Sequence, residues 1–323
     1  MIVVVGGSGF IGTVLLSHLA RVDGAESIKL VDKTIDIERP VCDAILADVR
    51  DIQSLRKAIS KGDVIYNLAA EHRDDVNPIS LYDEVNVNGA KNICQVAREQ
   101  EVGTIVFTSS VAVYAASRLS RDEKAQIAPS TPYGVSKASA EQIYIEWQEE
   151  SPNTRKLIIV RPTAVFGPSN RGNIYALCKQ VAENKFVHIG SGENKKSLAY
   201  VDNLVSFLVY VLDSPVGISI HNYVDKPDYD MNELVAKIAR YSHAEIPKLR
   251  LPYMFALFAS YIWVAIVRVL GRQSAITPDR IRKYSSNTVF DTNFDSVGFV
   301  PSIEMERALQ QTVEYEFSDL SGG

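Results

Sequence analysis

The chain opens with the stretch MIVVVGGSGFIG, in which an apolar run leads directly into a loop that holds four glycines. A strand from Ile2 to Val5 that ends in Gly6-x-x-Gly9-x-x-Gly12 leaves no side chains where the strand turns into a helix. Because the backbone N–H groups at a bare helix N-terminus carry partial positive charge, this turn is suited to a pyrophosphate. A tight strand-to-helix turn without a ligand is the alternative that this stretch alone leaves open.

An acid follows the second predicted strand, which runs from Ser27 to Val31. This acid is Asp32, 20 residues beyond Gly12. In a dinucleotide-binding fold, an acid at this place accepts hydrogen bonds from the ribose hydroxyls of the adenosine. Because its charge repels a 2′-phosphate, Asp32 favours NAD over NADP. A solvated turn acid is the alternative.

Strand-like and helix-like stretches alternate through the first half of the chain, which is typical of a doubly wound parallel α/β sheet of the Rossmann type. After Arg161 the pattern changes to loops rich in Gly, Asn and Pro, which indicate a smaller mixed C-terminal lobe that binds the substrate. We therefore expect a dinucleotide-binding domain over 1–165, with 197–222 returning to it, and a substrate-binding lobe over 166–323. The expected strands are Ile2 to Val5, Ser27 to Val31, Val64 to Leu68, Thr104 to Thr108, Leu157 to Val160 and Ile218 to Asn222.

The composition is that of an ordinary globular protein, with 46% apolar residues, 23% charged residues and a net charge of −5. Basic runs with interleaved aromatic residues are absent, which argues against a nucleic-acid partner. The cysteines Cys42, Cys94 and Cys178 lack metal-ligand spacing, so we expect buried thiols, no metal site and a reducing compartment. The first residues already form a strand rather than a targeting segment, so we expect a cytoplasmic protein.

The segment from Leu251 to Val267 carries no charge over 17 residues, which is the lower limit for a membrane span. On a helical wheel its polar residues Tyr253, Ser260 and Tyr261 fall on one side together with Arg268. Basic residues flank both ends, so the charge asymmetry that orients a spanning helix is missing. We therefore predict a helix buried in the protein or facing a dimer partner, with contact to a membrane surface as the alternative.

Three residues are candidates for acid-base chemistry. Tyr133 and Lys137 in TPYGVSK lie four positions apart on a predicted helix, so both project from one face, and the ammonium favours the phenolate. The strand IVFTSS ends in Ser109 and Ser110 at a carboxyl edge, where ligands bind in open α/β sheets. We select Ser110 and keep Ser109 as a competitor. Surface residues and turn capping are the alternatives for these motifs.

These features in this order resemble the extended branch of the short-chain dehydrogenase/reductases, and in particular the NAD-dependent nucleotide-sugar epimerases and dehydratases. The resemblance covers nearly the whole chain through LADVRD, VIYNLAA, EVNVNGAKNI, VRPTAVFGP, KKSLAYVDNL and FDTNFDSVGFVP. It implies that Asp48 contacts adenine, that Asn86 holds the active-site helix in place, and that Asn173 contacts the diphosphate of the substrate. The cofactor-binding residues that we expect are Gly6, Gly9, Phe10, Ile11, Gly12, Asp32, Asp48, Val49, Ala69, Ala70, Asn86, Tyr133 and Lys137.

Departures from the family pattern narrow the expected chemistry. Dehydratases of the family carry an Asp-Glu pair where this chain has Val111 and Ala112, so 4,6-elimination lacks its acid and base. The usual Arg before the YVD motif is Lys196, and the usual second Asp is Asn203. The remaining cations that could neutralise a substrate diphosphate are Lys196, Arg280 and Arg282.

The resemblance therefore predicts an NAD-dependent nucleotide-sugar 4-epimerase of the UDP-hexose type, with Ser110, Tyr133 and Lys137 as its catalytic residues. It also implies a homodimer built from the helix that bears Tyr133 and the helix that starts near Asn86. Two enzymatic alternatives stay open: a hydroxysteroid or isoprenoid-type dehydrogenase near a membrane, and a one-way 4-ketoreductase. A catalytically silent NAD-binding scaffold is a third.

Overall fold

The computed structural model describes residues 1–35, 40–73, 76–115, 117, 119–269 and 277–318. The strands are β1 (Ile2–Val5), β2 (Ile28–Asp32), β3 (Asp43–Leu46), β4 (Val64–Asn67), β5 (Thr104–Thr108), β6 (Lys156–Pro162), β7 (Ala164–Phe166), β8 (His188–Ile189), β9 (Lys195–Tyr200), β10 (Gly217–Tyr223), β11 (Asp225–Asp230) and β12 (Arg250–Leu251). The helices are α1 (Phe10–Val22), α2 (Ile52–Ala58), α3 (Ser80–Tyr82), α4 (Gly89–Glu99), α5 (Pro132–Glu149), α6 (Asn173–Ala182), α7 (Val201–Tyr210), α8 (Met231–Tyr241), α9 (Tyr253–Val269), α10 (Pro278–Ser285), α11 (Phe294–Val297) and α12 (Met305–Phe317).

A central sheet of seven strands, in the order β10-β6-β5-β4-β1-β2-β3, organises the fold. Every neighbouring pair in it is parallel. The strand order reverses between β1 and β4, and this is where ligands bind in doubly wound sheets, beyond the carboxyl ends of the strands. The predicted Rossmann-type sheet is confirmed, with the additional strand β3, which the sequence analysis did not identify.

Helices cover both faces of this sheet. One apolar cluster joins the sheet to α2, α4 and α5 and includes the buried Trp147. A second cluster, centred on Phe207, joins the opposite face to α1 and α7. The five inner strands are mostly buried on both faces, which explains why they appear in the sequence as continuous apolar runs rather than as alternating patterns.

The C-terminal part of the chain contributes to both regions. Strand β10 pairs with β6 at the edge of the central sheet, where Ile218 to Asn222 was expected to return. Helices α6, α8 and α12 share a separate apolar cluster, centred on Leu234 and Leu309. Small sheets formed by β7, β9 and β11 and by β8 and β12 complete this region. The boundary between 165 and 166 stays a prediction.

The apolar segment forms α9, but the expectation that it is buried within the protein is wrong for the single chain. Met254, Phe258 and Trp263 are exposed, whereas Ser260 is buried and its hydroxyl donates to the Leu257 carbonyl oxygen. Ser260 therefore faces the protein, Tyr261 of the predicted polar stripe is exposed, and the bulky apolar side chains point away from the protein. None of the described helices is both long and apolar enough to cross a membrane.

The cysteines are all free thiols. Cys94 and Cys178 are buried, as expected, because they face the apolar clusters of the two regions. Cys42 is half-buried, which differs from the expectation, because it precedes the edge strand β3 of the central sheet.

Candidate active site

The glycine loop after β1 is closed by contacts between backbone atoms. Gly6 has a φ of +81°, and a Cβ atom there would lie 2.5 Å from the backbone nitrogen of Ala69. A Cβ atom on Gly12 would lie 2.5 Å from the carbonyl oxygen of Gly6. Any larger side chain at either position would push the loop apart, so the loop requires glycine at both positions.

The loop leads into a helix N-terminus with no side-chain cap. Helix α1 begins at Phe10, its N-cap is Gly9, and its first turn holds no acidic residue. Phe10 and Ile11 are half-buried and pack against the cluster around Phe207. The uncapped N–H groups of this turn form a glycine cradle with the partial positive charge that favours a pyrophosphate.

Asp32 lies beside this cradle at the carboxyl end of β2. Its Oδ2 atom accepts a hydrogen bond of 3.0 Å from the backbone N–H of Ser8, and its Oδ1 atom accepts one of 3.4 Å from Thr34. The carboxylate is therefore attached to the glycine loop itself. This position fits the predicted contact with a ribose next to the pyrophosphate.

Asp48 and Val49 follow the edge strand β3. The Arg50 guanidinium approaches the Asp48 carboxylate to 2.6 Å and, through this hydrogen bond, lowers the pKa of Asp48. Val49 is buried and lies against Gly89, where an added Cβ atom would come within 2.9 Å of the valine side chain. Asp48 is thus held as a carboxylate at this edge of the sheet.

The loop after β4 connects the glycine loop to the helix that bears Tyr133. Ala69 and Ala70 in this loop are half-buried, and the Ala69 backbone faces Gly6. Asn86 is buried; its side chain accepts from the backbone N–H of Glu71 at 2.8 Å and donates to the Ser136 hydroxyl at 2.8 Å. Asn86 therefore links the loop to α5.

Helix α5 places Tyr133 and Lys137 at the end of β5. Thr131 caps the helix through a hydrogen bond from Gly134, and Pro132 occupies the first position, where its missing N–H costs nothing. Lys137 is only 2% exposed, and its Nζ atom donates to the Thr108 carbonyl oxygen at 2.6 Å. Burial lowers the pKa of Lys137 to about 7.

The same strand end carries the two serines. Ser109 is buried, and among the described residues no hydrogen-bond partner reaches its hydroxyl oxygen. Ser110 is half-buried, and its hydroxyl accepts from the backbone N–H of Ala112 at 3.2 Å. The turn that Ser110 caps packs against α5, since an added Cβ atom on Gly134 would lie 2.3 Å from the Ala112 carbonyl oxygen. Ser110 therefore lies close to the helix turn of Tyr133 and is the more accessible serine.

A buried ion pair lies one turn further along α5, which the sequence analysis missed. Arg161 forms two parallel hydrogen bonds with Glu141, of 2.9 and 2.6 Å, and a third of 2.7 Å with the Tyr114 hydroxyl. Both side chains of this ion pair are almost fully buried. An acid four residues after Lys137 on the same helix face was the available sequence signal.

The predicted diphosphate-binding residues are only partly brought together. The Lys196 Nζ atom donates to the Ser286 carbonyl oxygen at 2.7 Å, so Lys196 lies at the end of α10. Arg282 on α10 donates to the Tyr261 hydroxyl on α9, and Arg280 is exposed. Asn173 is exposed and is the first residue of a different helix, α6.

Asn203, which replaces the family's second Asp, has an internal role. It is completely buried and donates to Asp225 at 2.9 Å and to the Ile303 carbonyl oxygen at 2.7 Å. Burial raises the pKa of Asp225 to about 6. The neutral amide therefore joins α7, β11 and the segment before α12, and does not face a substrate.

Similarity to known proteins shows the family of the chain. The sequence model described as the NAD dependent epimerase/dehydratase family matches residues 2–224. The chain is 42% identical over 318 residues, which is 98% of its length and 95% of the relative, to N-acetyl-alpha-D-glucosaminyl-diphospho-ditrans,octacis-undecaprenol 4-epimerase of Escherichia coli O157:H7. It is 28% identical over 253 residues, 74% of each chain, to UDP-glucose 4-epimerase of Vibrio cholerae.

Solved structures show the same fold. The crystal structure of UDP-glucuronic acid 4-epimerase from Bacillus cereus in complex with NAD superposes with a TM-score of 0.76 over 99% of both chains, at 19% identity. The glycine cradle, the acid at the end of β2 and the helix of Tyr133 and Lys137 fit the cofactor of this family. The protein is therefore an NAD-dependent enzyme that belongs to the NAD-dependent epimerase/dehydratase family, within the extended short-chain dehydrogenase/reductases.

Proposed function

We propose that this protein is a 4-epimerase that acts on a hexose attached to a diphosphate. The observation that carries the proposal is the placement of Ser110, Tyr133 and Lys137 around the end of β5, with Val111 and Ala112 where a dehydratase needs an acid and a base. The 42% identity to a 4-epimerase over nearly the whole chain supports it. The sugar carrier is a nucleoside diphosphate or a lipid diphosphate, and the diphosphate is common to both.

The proposed reaction assigns a separate role to each residue. Tyr133 takes the proton from the sugar O4 and later returns it, and Ser110 donates a hydrogen bond to the same oxygen. NAD held in the glycine cradle would supply the hydride acceptor for C4 and the hydride donor for its return to the opposite face of the sugar. Lys137 holds its position through Thr108 and still has N–H groups for the ribose of the cofactor.

Asn86 and Ser136 support this arrangement without touching the substrate. Asn86 donates to the Ser136 hydroxyl, which in turn donates to the Tyr133 carbonyl oxygen at 2.8 Å. This chain of hydrogen bonds fixes the first turn of α5 relative to the loop after β4. Tyr133 is thereby held beside the loop after β4, at the carboxyl edge of the sheet where ligands bind in this kind of fold.

The test is incubation of the purified protein with two substrates: a UDP-linked N-acetylglucosamine and the same sugar on a prenyl diphosphate dispersed in detergent. We expect the C4 epimer by NMR from at least one of them, without net formation of NADH. The variant Tyr133→Phe should lose activity about 10²-fold or more and still bind NAD, because it removes the base and no pyrophosphate contact. Tyr82→Phe, which removes a neighbouring hydroxyl that donates to the Arg73 carbonyl oxygen, is the matched control and should stay active.

The product distinguishes this proposal from the other reactions considered. A 4-keto sugar that accumulates with NADH would identify a dehydrogenase, and one-way consumption of a 4-keto sugar with NADH would identify a ketoreductase. Net oxidation of a sterol would support the hydroxysteroid alternative. A Tyr133→Phe variant that epimerises at the wild-type rate would exclude Tyr133 as the base.

We also propose a homodimer in the cytoplasm. Helices α4 and α5 pack side by side on one face of the sheet, and Val135 on α5 is 48% exposed, so a two-fold contact could cover it. Light scattering of the wild type and of Val135→Asp tests this assembly. A wild-type monomer would contradict it.

A further inference from the structure

Helix α9 exposes a broad apolar surface. Its exposed side chains include Met254 at 72% and Phe258 at 66%, and they extend around about half of the helix circumference at roughly 100° per residue. The members of this surface, called here the α9 face, are Met254, Phe255, Phe258, Ile262, Trp263 and Ile266. A helix on the water-exposed surface of a protein carries polar residues on that side, so the α9 face is suited to a partner that excludes water.

The inner side of the same helix is a narrow seam. Ala256, Ser260 and Val267 are buried, and their spacing of four and seven residues puts them on one line along the helix. This seam is enough to attach α9 to the protein while leaving the bulky residues outside. The α9 face is therefore a consequence of how the helix packs and is not a frayed end.

Positive charge predominates in the sequence on both sides of α9. From 246 to 290 the sequence contains seven Lys and Arg residues and one acid, Asp279, in a chain whose net charge is −5. Lys248 before the helix and Arg280 after it are exposed. An apolar helix face with cations at its borders matches an anionic lipid surface, where the headgroups attract the cations and the acyl region takes up the apolar side chains.

A second copy of the chain fits this surface less well. In a two-fold contact the same patch meets itself, so these cations would face like charges across the interface. Trp263 and Tyr261 on this helix are also residues that favour the boundary between water and lipid. The charge-free stretch is only 17 residues long, with basic residues at both ends, so a helix lying in the plane of the membrane fits better than a spanning one.

We infer that α9 docks this protein in the surface of an anionic membrane and so brings its active site to sugar diphosphates carried by a lipid. The connection to the site runs through α10. Arg282 on α10 donates to Tyr261 on α9 at 2.6 Å, and Lys196 donates to Ser286 at the end of α10. Arg282, one of the predicted diphosphate cations, therefore contacts the docking helix, and Lys196 contacts the end of the helix that carries Arg282. The choice of a lipid carrier rests on the proposed function, whereas the docking itself does not.

Sedimentation of the full-length protein with vesicles tests the docking. We expect binding to vesicles of phosphatidylglycerol and phosphatidylethanolamine, and much weaker binding to phosphatidylcholine alone or at high salt. The double variant Phe258→Asp with Ile262→Asp should bind anionic vesicles at least about tenfold more weakly than the wild type, because both new charges would lie in the apolar region of the membrane. Val22→Asp, at an exposed apolar position of α1, is the matched control and should bind as the wild type does.

Three results would overturn the docking inference. One is a wild type that stays in the supernatant with anionic vesicles, and another is a double variant that sediments like the wild type. The third is a wild-type dimer that does not bind vesicles and becomes a monomer in the double variant, which would make the α9 face a subunit contact. A Tm of the double variant equal to that of the wild type excludes misfolding as the cause. Centrifugation of each protein without vesicles excludes sedimentation by aggregation.

Activity measurements separate this inference from the proposed function. The double variant should epimerise a detergent-dispersed or UDP-linked sugar at the wild-type rate and lose about tenfold only on the vesicle-borne substrate. A wild type that binds vesicles but epimerises neither substrate would contradict the proposed function and leave the docking intact. A wild type that epimerises but does not bind vesicles would contradict the docking and leave the proposed function intact.

Discussion

The buried pair of Arg161 and Glu141 offers a sharp test of what holds α5 in place. The two side chains are 4% and 5% exposed, and two hydrogen bonds of 2.9 and 2.6 Å join them. Removing one partner of such a pair leaves a charge buried without compensation, at a cost of about 3–5 kcal/mol. Glu141→Gln keeps the shape and one acceptor oxygen, so we expect a loss near the lower limit, about 3 kcal/mol.

Thermal unfolding of the protein without added cofactor measures this loss. In a chain of 323 residues, an unfolding entropy of about 2.1 cal/mol/K per residue makes about 3 kcal/mol correspond to a fall in Tm of roughly 4–5 °C. The double variant Glu141→Leu with Arg161→Met removes both charges, and its stability should return close to that of the wild type, because no unpaired charge remains. The control is Glu99→Gln, which breaks the exposed pair of Arg56 and Glu99 with the same two-bond geometry.

Burial is the variable that this comparison isolates. The Arg56 pair has hydrogen bonds of 2.7 Å, as short as those of the Arg161 pair, but solvent screens it, so Glu99→Gln should change Tm far less. Equal losses for Glu141→Gln and Glu99→Gln would refute the reasoning. A double variant as unstable as Glu141→Gln would refute it as well, since the loss would then come from packing rather than from an unpaired charge.

Three further predictions concern the cofactor side of the site. Asp32→Ser should weaken the binding of NAD and reduce the discrimination against NADP, because the acid accepts hydrogen bonds from the ribose hydroxyls and repels an extra phosphate. Fluorescence titration with both cofactors measures the two affinities. An unchanged preference for NAD would reject the assignment. Gly12→Ala should lower NAD affinity and Tm, because its Cβ atom would overlap the backbone of the glycine loop, whereas Gly103→Ala, whose Cβ atom would meet its nearest neighbour at 3.9 Å, should change neither. Burial lowers the pKa of Lys137 to about 7. Between pH of about 7 and 10, the lysine therefore binds a proton in the unfolded chain but not in the folded chain, and the free energy of unfolding decreases as the pH falls through this range. We therefore compare the free energies of unfolding in urea of Lys137→Met and the wild type. The variant minus the wild type should be about 2 kcal/mol more positive at pH 7 than at pH 9. If this difference is the same at both pH values, the lysine is charged when buried.

Local sequence patterns were sufficient for the elements that depend on neighbours in the chain. The glycine loop, the acid at the end of β2 and the spacing of Tyr133 and Lys137 each follow from a strand turning into a helix or from the period of one helix. The order of strands in a doubly wound sheet then brings these features to one edge without further information. For this reason the parallel sheet and the cofactor could be predicted from the sequence.

Contacts between distant segments could not be obtained in this way. The charge of Arg161 is visible in the sequence, but its burial against Glu141 depends on the packing of α5 on β6, and the internal role of Asn203 depends on Ile303, 100 residues away. The uncharged run in α9 has the same sequence whether it is buried or exposed. Only the tertiary structure decides that Ala256, Ser260 and Val267 face the protein while the residues of the α9 face point outward, because the area available for packing there is set by the neighbouring elements, including α10, and not by the helix itself.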